Sequence, residues 1–135
     1  MSAEAAVYGR LSNYSDLTDL VSTNIYPGRL PPGTRGPAVS YELIGHTPTR
    51  AMSADAAVAR SRVQVNCFGE RSGSVSSYAS AKAVRDAVVA ALNRFRGTAG
   101  GVAVQAVYLI TEVDLYDQDA KKDGIAVDFD VVFEL

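Results

Sequence analysis

Ile125-Ala126-Val127-Asp128-Phe129-Asp130-Val131-Val132-Phe133-Glu134-Leu135 is the stretch that decides the fold. Ile125, Val127, Phe129, Val131 and Phe133 fall on one side, and Asp128, Asp130 and Glu134 on the other. Such alternation marks a strand with one buried and one polar face, which favours antiparallel pairing. Three upstream stretches carry the same signal. In Ala38–Ile44, Val39, Tyr41 and Leu43 oppose Ser40 and Glu42. In Ala59–Phe68, Val63, Val65 and Cys67 oppose Arg62, Gln64 and Asn66. In Val102–Val113, Val102, Val104, Ala106, Tyr108 and Ile110 share one face, and Val107 and Leu109 the other.

The second and third of these strands are separated by a stretch of helical period. Tyr78, Ala81, Val84, Val88, Ala91, Leu92 and Phe95 repeat at i+3 and i+4, with Gly73-Ser74 as break and cap and Asn93–Gly97 as exit. At the N-terminus, Ser2 caps a short helix to Ser12, and Ser15 caps a second over Asp16–Ser22 with Leu17, Leu20 and Val21 on one side. Both are too short to be stable alone, so they dock on something larger. The expectation is one α+β domain over residues 1–135. It has a mainly antiparallel sheet of about four strands, with one long helix and the short N-terminal helices packed on one face.

Three segments stand apart. Asn24–Pro37 holds Pro27, Pro31, Pro32 and Pro37 with Gly28, Gly33 and Gly36, which excludes a continuous helix or central strand and leaves a structured loop carrying Arg29 and Arg35. Gly45–Ala57 and Asp114–Gly124 read as long hairpin connections, the kind of segment where a compact domain places its contacts.

Composition narrows the function. Thirteen basic and fifteen acidic residues give a net charge of −2, with no drive towards nucleic acid or anionic membrane. No apolar run approaches the roughly 20 residues of a membrane span. The first residues lack the basic and apolar regions of a signal peptide, so a cytoplasmic site of synthesis is expected. One cysteine excludes an intramolecular disulfide, and His46 with Cys67 is too small a set for an ordinary zinc site. His46 reads as a loop histidine and Cys67 as a small buried hydrophobe, not a nucleophile. Gly28–Gly36 is glycine-rich and basic but lacks the Gly-Lys-Ser/Thr ending and following helix of a phosphate loop. Asp117-Gln118-Asp119-Ala120-Lys121-Lys122-Asp123-Gly124 starts like a calcium loop, but a lysine occupies a ligand position and the glycine is misplaced. A mixed-charge hairpin tip remains. Asp128, Asp130 and Glu134 could pair with Arg60 and Arg62, within the chain or across a subunit boundary. No catalytic residues, metal or cofactor are expected.

An ordered set of segments then resembles the tail-completion, or tail-terminator, family of long-tailed bacteriophages and gene transfer agents. The set is Leu17-x-x-Leu20-Val21, Asn24-Ile25-Tyr26-Pro27, Pro37 leading to Val39-x-Tyr41, and Arg62-Val63-Gln64-Val65-Asn66-Cys67-Phe68. It continues through Ala81–Phe95 into Arg96-Gly97, Gly101-Val102, Asp114-Leu115-Tyr116 and the final strand. The resemblance implies a structural virion protein forming a ring, usually of six subunits, on the head-proximal end of the tail tube. The ring stops tube polymerisation and offers the surface for head attachment. Implied partners are further copies of the chain, the tail tube protein, the head connector or stopper protein and the end of the tape-measure protein, with DNA passing through the lumen and no membrane. A head–tail joining protein is the alternative implied at the same junction; a small metal-binding enzyme is a remote one. Loop placement, charge and the resemblance together put Arg29, Arg35, Arg50, Asp117, Asp119, Lys121 and Lys122 at subunit or ring–ring contacts.

Overall fold

A computed structural model describes residues 2–50, 57–118 and 121–134. Its elements run α1 (Ala3–Ser12), α2 (Ser15–Val21), β1 (Ile25–Pro27), β2 (Ala38–Arg50), β3 (Ala57–Phe68), α3 (Ser77–Leu92), β4 (Gly97–Ala99), β5 (Val102–Asp117) and β6 (Lys122–Glu134). The strands form one sheet in the order β1-β2-β3-β6-β5-β4. The α+β class matches expectation, with three helices. The sheet has six strands, not about four, because the two short strands β1 and β4 add to its edges. β1 pairs in parallel with Val39–Tyr41, and β4 pairs antiparallel with Val102–Val104.

The larger difference lies in the two long connections. Gly45–Arg50 is not loop but a continuation of β2, facing Ala57–Arg62 of β3. Asp114–Asp117 likewise continues β5 and faces Lys122–Ile125 of β6. Gly, Pro and Asp are poor strand formers singly, but a partner strand already in register overrides such local preference.

The core lies between one sheet face and the three helices. Phe129, Phe133, Val63, Val65 and Val39 from the sheet meet Leu11, Leu17, Val84, Val88 and Leu92 from the helices, all fully buried. Ser2 caps α1 by accepting a hydrogen bond from Ala5 N (3.1 Å). The cap of α3 is Ser76, which accepts from Ala79 N (3.1 Å), and not Gly73-Ser74. Ser15 begins α2 without a side-chain cap, and Leu20 faces outward while Leu17 and Val21 are buried. On β5 the expected alternation fails at two register shifts, between Val104 and Ala106 and between Leu109 and Thr111. An extra residue in a strand turns every later side chain to the opposite face. Val104 and Val107 are therefore both buried, and Tyr108 is exposed.

Candidate functional site

Three parts of the chain meet on the sheet face away from the helices. One is the β1–β2 loop, which the glycines shape. Gly28, Gly33 and Gly36 have φ of 76°, 81° and 81°, a backbone region that other residues adopt at a cost. Asn24 ties the loop ends: its Nδ2 donates to Arg35 O (2.8 Å), and its backbone oxygen accepts from Val39 N (2.8 Å). The second part is the end of the β5–β6 hairpin. Between them lies an open groove of about 1000 Å³, walled by Gly28–Gly33 and Leu115–Gln118, with Ser40, Glu42, Gln64 and Asn66 on its floor. Asn66 is buried; its Nδ2 donates to Ser40 Oγ (3.2 Å), while its Oδ1 has no partner among the described residues.

The third part is Glu70, just past the end of β3, which holds the loop and the hairpin together. Its Oε2 accepts from Gly36 N (2.7 Å), and its Oε1 accepts from Lys122 Nζ (2.9 Å). The Lys122 hydrogen bond, helped by the Gly36 amide, pulls the Glu70 carboxyl below its usual range against a smaller opposing effect of burial. Lys122 is only 2% exposed. A buried ammonium is costly unless paired, so this lysine serves the hairpin's own attachment.

The sequence-derived contact residues separate into two ends. Arg29 and Asp117 both line the groove, Arg35 is exposed on the same loop near Glu70, and Lys121 is exposed at the hairpin tip in a left-handed conformation (φ 54°). Lys122 belongs to this end but points inward. Arg50 closes β2 at the opposite end of the sheet, and its side chain lies outside the described residues, as does Asp119. Sequence reading missed Glu70 and Asn66. A single glutamate after a strand has no periodic signature, and Asn66 was visible only as a polar member of an alternating strand.

Further along the same face, Arg62 donates twice to Asp128 Oδ2 (Nε 3.0 Å, Nη2 2.6 Å), and Gln64 Nε2 donates to Asp128 Oδ1 (3.0 Å). The expected arginine–aspartate pairing is thus made within one chain. It is diagonal: Arg62 stands level with Asp130 in register, yet bonds Asp128.

His46 lies on strand β2, not in a loop, and its Nδ1 bonds Ser61 Oγ (2.7 Å). Cys67 is fully buried, and burial pushes its thiol up, away from the reactive thiolate. Among the described residues no three of His, Cys, Asp and Glu cluster as metal ligands, and no helix is long and apolar enough to cross a membrane.

A chain from a solved structure titled "Virion of native gene transfer agent (GTA) particle" has the same fold. It superposes with a TM-score of 0.73 at 24% identity, covering 99% of this chain and 96% of that one. A second solved chain gives a TM-score of 0.58 at 18% identity over 100% of this chain and 96% of its own length. No curated protein matches in sequence. The family model described as "Tail completion protein gp17" matches residues 5–134, and the chain belongs to that family.

Proposed function

We propose that this protein is a tail terminator: copies assemble into a ring, six by family resemblance, that caps the head-proximal end of a phage or gene-transfer-agent tail tube. The ring stops tube polymerisation and presents the surface for head attachment, without catalysis. The family match over residues 5–134 is the observation that carries this reading. The geometry supports it. A subunit between two stacked partners needs a contact surface at each end, and the contact residues fall at two opposite ends of the sheet. Arg29, Arg35, Asp117 and Lys121 serve one end, with Asp119 assigned to the same tip. Arg50 serves the other. Lys122 acts indirectly by fixing the first end in place. The net charge of −2 lets DNA pass without being held, because phosphate binding needs clustered cations.

Electron microscopy of the purified protein, with and without tail tubes, tests this directly. Rings that seat on tube ends and halt their growth are the expected result. A protein that never caps a tube refutes the terminator role. Deletion of the gene should give overlong tails; free tails of normal length beside filled heads would instead assign a head–tail joining role.

A further inference from the structure

We infer that neighbouring copies join edge to edge, with β2 of one pairing antiparallel to β5 of the next, so that the sheet runs on through the ring. The inference rests on the ring reading and specifies how the ring is closed. Both edges of the sheet are only partly covered. On β2, β1 pairs with Val39–Tyr41, and Pro48 has no N–H to give; among the described residues no strand pairs with the outer side of Glu42–Thr47. On β5, β4 covers Val102–Val104. Past it, Arg94 N donates to Val107 O (2.9 Å) and Leu109 N donates to Asn93 Oδ1 (3.2 Å). Beyond that, no described strand pairs with the outer side of Ile110–Tyr116.

Exposed edges are usually blunted by lysine or proline. Neither stretch contains one. Both carry exposed apolar side chains instead: Leu43 and Ile44 on β2, and Ile110, Val113 and Tyr116 on β5, with Val113 60% exposed. The acidic side chains of the β5 stretch are already engaged, Glu112 by Arg85 (3.4 Å) and Asp114 by Tyr78 Oη (3.0 Å). Each stretch also carries or adjoins a register shift, at Leu43/Gly45 and Leu109/Thr111, where added twist curves a sheet as closure requires.

Direction and offset agree. Each of β2–β3, β3–β6 and β6–β5 is antiparallel, so β5 runs opposite to β2. A copy carried round a ring axis keeps its orientation and therefore brings its β2 antiparallel to β5. The covers then fit as a lap joint, because β1 sits at one end of its edge and β4 with Asn93-Arg94 at the other end of its own. Glu42 stands level with Thr111 through the shared register, so matching the open stretches with like faces together sets Glu42 of the neighbour opposite Leu115 and Ile44 opposite Val113. That is a slide of about four residues at ~3.3 Å each, over four strand spacings of ~4.8 Å. The resulting strand tilt is about 35°, at the lower bound of the roughly 35–45° of closed sheets. The contact is heterologous, joining different surfaces, as a ring demands.

The test is an Ile44→Cys/Val113→Cys double variant treated with a short bis-maleimide, with the buried Cys67 silent. A ladder of dimer, trimer and higher species is expected from the double variant and none from either single variant. Dimers from a single variant would mean that like edges meet, and would overturn the proposal. Ile44→Lys/Val113→Lys, with a thermal melt and circular dichroism matching the parent, should raise the half-assembly concentration by about tenfold or more, read by sedimentation. Rings that form undiminished in that variant overturn edge pairing and leave the ring intact. A parent chain that stays monomeric at every concentration removes the ring reading itself.

Discussion

The two long hairpins, β2–β3 and β5–β6, are built from the same device, a pair of long antiparallel strands, yet they are held very differently. The β5–β6 hairpin is fastened to the body at several points. Asp123 O accepts from Gly69 N (3.0 Å), Asp123 N donates to Ser77 Oγ (3.2 Å), Lys122 bonds Glu70, and Asp114 accepts from Tyr78. The described part of β2–β3 has the His46–Ser61 bond and the ring of His46 lying 6.1 Å from that of Phe133, both near the middle of the strands. One hairpin is therefore a fixed wall of the groove; in the other, β3 stays paired with β6 as far as Val58, and β2 beyond Tyr41 is held by β3 alone among the described strands. On the proposed function, the fixed end suits a preformed surface and the singly held end of β2 suits one that settles on contact.

The largest effect should come from Gly69, the hinge of that fastening. A methyl group there would run into the backbone of α3 at Ser77 and Ala81. Gly69→Ala should cost about 2–3 kcal/mol of stability through overpacking, measured by urea unfolding. A cost below ~0.5 kcal/mol would show that α3 and the strand end are not locked together here, and would erase the contrast between the hairpins.

Glu70→Ala comes next. It leaves the Lys122 ammonium buried without its partner and releases Gly36 N, a loss of roughly 1–3 kcal/mol, towards the lower end because the Glu70 carboxylate is itself half exposed. Lys122→Met should cost less than Glu70→Ala, since it removes the charge with the need for a partner. The pH dependence has a definite sign. The folded carboxyl titrates below its unfolded value, so its contribution is full above the unfolded value and fades as pH falls through the folded one. The stability gap between the parent and Glu70→Gln should therefore close in acid, when unfolding curves are compared across pH. A gap that widens in acid would contradict the Lys122 pairing.

Much of the fold was legible because period-two and period-3.6 patterns are properties of single segments. The inward residues Ile125, Val127, Phe129, Val131 and Phe133 and the stripe members Ala81, Val84, Val88, Ala91 and Leu92 needed nothing beyond the chain itself and are buried, while the stripe's ends differ, Tyr78 exposed and Phe95 half-buried. What escaped depends on partners. Gly45–Arg50 and Asp114–Asp117 are strands only because β3 and β6 lie beside them, and β1 and β4 are three residues each, too short to show a period. The face assignment on β5 failed for the same reason: a bulge is defined against a partner strand, so Tyr108 and Val104 cannot be separated by counting along the chain. At the candidate site, Arg29, Arg35, Asp117 and Lys121 were legible as charges on loops, and the loop and hairpin do lie together. That Lys122 turns inward was not legible, because its partner Glu70 is 52 positions away.

Hydrogen exchange compares the hairpins without altering them. Amides at the root of β5–β6, around Lys122–Gly124, should be protected well beyond those of β2 around Ile44–Thr47, because opening the former must also break the Gly69 and Ser77 bonds, while β2 there has only β3 beside it among the described strands. The comparison is made on the free chain, before assembly adds protection of its own. Equal exchange at the two places would mean that the fastening seen around Glu70 does not hold in solution.

Tyr78→Phe is the mildest and the most selective change. It deletes one exposed hydroxyl, that of the bond to Asp114, and leaves the ring and the α3 helix in place. The expected loss is about 0.5 kcal/mol, because both groups regain water. Its value lies in where the change is felt. Faster exchange should appear in the fastened hairpin around Asp114–Tyr116 and leave the β2–β3 hairpin untouched, since no bond of Tyr78 reaches that side. If β2–β3 responds equally, the hairpins share one opening motion, and the division into a fixed end and a settling end gives way to a single cooperative sheet.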